Sequence, residues 1–95
     1  MIRVTGDCAE VSGPMTMSGA SALLSEGEAA IAGNATAFDL AAVTDMDSSC
    51  LAVVFGWVRA AKSGGKSLRL LNPPPNLLSL AEVYGVADLL PQNTA

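Results

Sequence analysis

The sequence predicts an α/β fold: a single domain over residues 1–95, with a mixed four-stranded β-sheet packed against about three helices in the order β-β-α-β-α-β-α. Three observations lead there. Ninety-five residues leave room for one core. Short alternating or apolar runs of strand length are interleaved with longer stretches that repeat at helical spacing. Glycine, proline and asparagine stand where one kind of run gives way to the other.

Taken in order, "IRVTGDCAEVSG" reads as a hairpin, with strands at 2–5 and 8–12 and Thr5-Gly6-Asp7 as the turn. Pro14 is expected to end the second strand, because it has no N–H for a ladder. Ser18 is a suitable cap for a helix over 18–32, whose periodic positions are Ala20, Leu23, Leu24, Gly27 and Ile31. Gly27 on that stripe would let the helix approach the sheet closely, and Gly33-Asn34 closes it. "ATAFDLAAV" (35–43) suits a buried central strand ending near Leu40.

A helix over 49–62 follows, ended by Gly64-Gly65, and "KSLRLLN" (66–72) alternates as a strand. The prolines at 73–75 precede or open a last helix, "NLLSLAEVYG", since proline is tolerated in a first turn. The tail is expected to dock through Val86, Leu89 and Leu90. The strands flanking helix 49–62 should be parallel, and the hairpin adds an antiparallel partner.

Composition excludes several functions. Nine acidic residues against five basic ones give a net charge of −4, and the basic residues are scattered. Nucleic acid binding and a polybasic membrane contact are both disfavoured. The longest greasy run, Leu51 to Ala61, is about half a membrane span and carries Arg59. No apolar leader is visible at the N-terminus and there are only two cysteines, so a cytoplasmic location without a disulfide framework is expected. The chain has no histidine, which removes Ser-His triads and histidine metal sites. No P-loop or dinucleotide turn is present, and no cofactor or metal is expected.

The most informative stretch is "TDMDSSCLAVVFGWVRAAKSGG" (44–65). With Leu51 at zero on a helical wheel, Val54, Phe55, Val58, Ala61 and Lys62 lie within roughly ±80°, a sheet-facing stripe. The opposite side carries Ser49, Ala52, Val53, Gly56 and Ala60, with Trp57 on the flank. A solvated helix face normally carries Lys, Glu or Gln, so something should cover this one. Either helix 18–32 or the C-terminal segment covers it, or it is a protein-binding surface, which is the reading preferred here. Asp47 and Ser48 are good helix caps, and a cap contributes about 1 kcal/mol. Ser48 and Ser49 are also candidate phosphoacceptors, although Asp45 and Asp47 would oppose a phosphate's added charge.

At these residues the chain resembles a known family. "FDLAAVTDMDSSCLAVV" is similar to the signature of STAS domains, found in sulfate-transporter tails and anti-sigma-factor antagonists. There a strand ending in Asp-Leu (here Asp39-Leu40) precedes an Asp-Ser-Ser/Thr-Gly-Leu turn that opens a helix (here Asp47-Ser48-Ser49-Cys50-Leu51). The ending "LRLLNPPPNLLSLAEVYGVADLLP" resembles the small STAS subunit of Mla-type phospholipid-trafficking ABC transporters, through Leu77, Leu80, Ala81, Tyr84, Leu90 and Pro91. The early "TGDCAEVSG" is similar to that subunit's first hairpin.

The resemblance implies a non-enzymatic cytoplasmic subunit that binds an ABC transporter ATPase, itself joined to a permease, and so sits at the inner membrane without inserting into it. It implies a contact surface centred on Ser48, Ser49 and the helix after them. With the helix face, this makes the candidate partner-binding set Asp47, Ser48, Ser49, Ala52, Val53, Gly56, Trp57 and Ala60. The alternative is an anti-sigma-factor antagonist that binds an anti-sigma factor kinase and is switched by phosphorylation at Ser48 or Ser49. A small enzyme has little support, because nothing supplies a base to activate either serine. Cys50 stands where the family has glycine; a position near a helix N-terminus can lower a thiol pKa, although a redox role is not expected.

Overall fold

A computed structural model of the chain describes residues 1–90. Its elements are β1 (Ile2–Thr5), β2 (Cys8–Met15), α1 (Met17–Ala32), β3 (Ala37–Met46), α2 (Ser49–Ser63), β4 (Arg69–Leu71) and α3 (Pro75–Val83), then a 3-10 turn at Ala87–Leu89. The predicted order holds. The sheet runs β1-β2-β3-β4, with β1 antiparallel to β2 and the other two pairings parallel.

Three strand boundaries differ from expectation, each for a local reason. β2 continues through Pro14 to Met15 because the ladder shifts register between Glu10 and Ser12 and again between Gly13 and Pro14, with Gly13 at φ 84°. Proline is tolerated at such irregularities. β3 extends past Leu40 to Met46, since the longer β2 gives it partners: Ser12 with Ala42, Pro14 with Asp45 and Met15 with Met46. β4 is only three residues long; Asn72 then adopts φ 52° and the prolines carry the chain away. Pro75 occupies the first turn of α3, as proline can.

Alternation along the strands divides the sheet's faces. Ala9, Phe38 and Leu70 share one cross-strand row, buried in a core with Leu23, Ile31, Val54 and Trp57. The next row carries Arg3, Glu10 and Asp39 on the other face, where Arg3 pairs with Glu10 at 2.7 Å. Asp39 accepts hydrogen bonds there from the Ala41 amide (2.9 Å) and the Asn72 side chain (3.1 Å). Of the tail residues, Leu90 is buried and Val86 half-buried, but Leu89 is exposed; Pro91 lies outside the described residues.

The tightest packing joins α1 to α2. A Cβ on Gly27 would fall 2.0 Å from Trp57 Nε1, so the indole occupies the space a side chain would need. That nitrogen donates to the Leu23 carbonyl at 3.2 Å, satisfying the buried indole's one donor. A Cβ on Gly56 would lie 2.4 Å from Leu24 Cδ1. Gly27 therefore admits α2, and not the sheet as its position on the helical stripe had indicated. The Trp57 and Phe38 rings meet with centroids 4.5 Å apart and tilted by 37°, which ties α2 to β3.

Candidate partner-binding site

Parallel pairing of β2 with β3 ends with Met15 opposite Met46, and each strand then enters a helix. The N-termini of α1 and α2 are thereby placed side by side, with Asp47 between them. Its Oδ2 accepts the Met17 amide at 3.0 Å, and its Oδ1 accepts the Ser49 amide at 2.9 Å and the Ser49 hydroxyl. The first amides of any helix lack intrahelical partners, and one carboxylate here serves two helices. These bonds, first the Ser49 hydroxyl and then the amides of Met17 and Ser49, hold the Asp47 carboxyl below the ordinary aspartate value of 3.8.

The capping differs from the sequence reading at both helices. Ser18 does not cap α1; the helix starts at Met17, whose amide is met by Asp47. Ser48 makes no side-chain cap bond and already has helical dihedrals (φ −63°, ψ −18°), so Asp47 is the working cap of α2. The two serines are thus unequal. Ser48 is exposed, whereas Ser49 is half-buried with its hydroxyl engaged by Asp47.

The candidate helix residues separate more sharply. Ala52 is exposed and Ala60 half-buried, but Val53, Gly56 and Trp57 are buried. Gly56 and Trp57 face α1, where Leu24 lies over Gly56 and the indole of Trp57 sits against Gly27, and Val53 is buried within the core. Coverage by helix 18–32, the alternative weighed above, accounts for Gly56 and Trp57. Buried positions from Gly56 round to Leu51 span roughly 220° of its circumference, so α2 is a central helix with a narrow solvent strip. Ala52, Arg59 and Lys62 lie on that strip.

Cys50 also departs from expectation. Its side chain is fully buried, and burial together with the nearby Asp47 charge pushes its thiol pKa up. Met17 is the surface residue that sequence reasoning missed: it is 75% exposed at the start of α1, beside the Asp47 turn. Thirty positions separate it from Asp47, and only the β2–β3 register brings the two together. Among the described residues, no three His, Cys, Asp or Glu side chains gather as metal ligands. No helix among them is long and apolar enough to cross a membrane.

Comparison with known proteins places this architecture. The fold matches the anti-sigma factor antagonist SpoIIAA in its unphosphorylated form, with a TM-score of 0.71 and 19% identity over 99% of this chain and 87% of that one. It also matches the Bacillus cell fate determinant SpoIIAA in the phosphorylated form, with a TM-score of 0.67 and 19% identity over 99% and 90% of the two chains. Identity this low establishes the fold alone. No curated protein matches the sequence. A family model described as "Mlab, STAS domain" matches residues 3–91, nearly the whole chain, and the chain therefore belongs to the MlaB STAS domain family.

Proposed function

We propose that this chain is a non-catalytic subunit that docks on the ATPase of an Mla-type phospholipid-trafficking ABC transporter and regulates it. The observation that carries this reading is the match of residues 3–91 to MlaB STAS domains. The surface that fits the role is smaller than the sequence indicated. It comprises the turn Asp47-Ser48-Ser49, the exposed Ala52 one helical turn on, and Met17 across the junction between the two helices. Arg59 continues the same strip of α2. The chain would then reach the inner membrane only through its ATPase and permease partners.

In this reading the chain acts on the ATPase and the cargo passes elsewhere. The groove on the sheet's polar face, about 340 Å³, is lined by Arg3, Glu10, Ser12 and Asp39 among others. Met1, Ala41 and Ala42 complete its lining, so charged and polar side chains make up four of its seven walls, a poor enclosure for an acyl chain. Co-purification from cells tests the reading: a tagged wild-type chain should recover an ABC ATPase with its permease. Recovery of an anti-sigma factor kinase in their place would overturn it.

That kinase belongs to a second reading, an antagonist switched by serine phosphorylation. The observation in its favour is the exposure of Ser48, whose side chain caps neither helix.

A further inference from the structure

The contacts of Asp47 reach beyond capping. Its two oxygens face different elements: one takes the first amide of α1, the other the amide and hydroxyl of Ser49 in α2. The Thr16 side chain, which could have capped α1, makes no cap bond and lies instead 3.3 Å from the Ser18 hydroxyl. The described contacts therefore give the Met17 amide no partner except Asp47. A change at the Ser49 hydroxyl acts on the carboxylate that holds α1, whereas Ser48 is outside this set of bonds.

We propose that Asp47 is a latch coupling the Ser49 hydroxyl to the first turn of α1, so that disturbance at Ser49 releases Met17 and disturbance at Ser48 does not. For its biological consequence the latch rests on the docking reading, since Met17 and Ser48 are then parts of one surface. The latch itself is a property of the free chain. In this view the two serines regulate differently: Ser48 through charge at the surface, Ser49 through the shape of the junction between α1 and α2. An acidic group on Ser49 loses the hydroxyl donor and repels the Asp47 carboxylate, which withdraws from Met17.

Amide hydrogen exchange on the full chain, followed residue by residue by NMR, tests this without any partner. In Asp47→Ala and Ser49→Glu, exchange at Met17 should rise about fivefold, the scale of a lost cap. In Ser48→Glu it should stay within about twofold of wild type. Unchanged protection at Leu40 and Val54, both in the core, identifies variants that remain folded. Equal acceleration by Ser48→Glu and Ser49→Glu would show that charge alone is responsible and overturn the latch. So would unchanged exchange at Met17 in a folded Asp47→Ala variant. If the latch fails while the ATPase still binds, or the reverse, the two proposals are separated.

Discussion

Asp47 shows how much a single side chain can do at a junction between elements. The linkage has a definite sign. A carboxyl held below its ordinary value contributes stability that is fully present above pH 3.8 and is lost as pH falls through the lower value it has in the folded chain. The urea midpoint of Asp47→Asn should therefore lie below that of the wild type at pH 7, and the gap should close in acid below pH 3.8. A gap that widened toward low pH would contradict the assignment. The cysteines give a second prediction at this scale. Both thiols are pushed upward in pKa mainly by burial, but Cys8 is half-buried and Cys50 fully so. Iodoacetamide at pH 7.5 should label Cys8 first and reach Cys50 only on unfolding, as read by peptide mass spectrometry. The fate of Cys50 was not legible in the sequence: proximity to a helix N-terminus argued for a lowered pKa, and burial outweighs it.

Helix α2 is the element at which reading from periodicity failed and then became informative. On its small apolar side Val53 and Gly56 are buried, Gly56 beneath Leu24 of α1, while Ala52 stays exposed. Periodicity gives the width of an apolar arc and cannot tell an intramolecular neighbour from an intermolecular one. The discriminating signal was the pair of glycines, one on each helix: Gly27 in α1 faces Trp57, and Gly56 in α2 faces Leu24. Gly27→Ala is expected to destabilise the chain. The Cβ would collide with an indole already fixed by its bond to Leu23, and overpacking costs about 1–3 kcal/mol. Alanine's better helix propensity returns about 1 kcal/mol of that. With the clash at the upper end, a net loss of about 2 kcal/mol should lower Tm by about 10 °C in a domain of this size. A thermal melt showing Gly27→Ala equal to or above wild type would mean that α1 and α2 are not packed this closely.

At the scale of the whole molecule, element order, the mixed sheet and the parallel pairing of β3 with β4 were legible, whereas the parallel pairing of β2 with β3 was not foreseen. The legible features follow from local signals: turn residues, proline, strand-length runs and crossover connections. Legibility was lost where long-range pairing decides the outcome. β2 and β3 lengthen each other past Pro14 and Leu40, a mutual effect that neither strand's own sequence contains. The same pairing sets Met17 beside Asp47, so this one residue of the candidate surface could be found only in three dimensions. The family signature pointed to the Asp-Ser-Ser turn, and burial leaves few helix residues exposed around it.

In the proposed complex, this turn and the strip of α2 beside it meet the ATPase. The most direct test is the affinity of the purified chain and its variants for the purified Mla-type ATPase at fixed salt. Ser48→Glu and Ala52→Arg should each raise Kd by about tenfold or more, as expected when central contacts are disrupted. Val83→Arg, on a residue 79% exposed at the end of α3, should stay within about twofold of wild type. Binding lost with Val83→Arg and intact in the other two would contradict the account and move the interface to the far end of the chain.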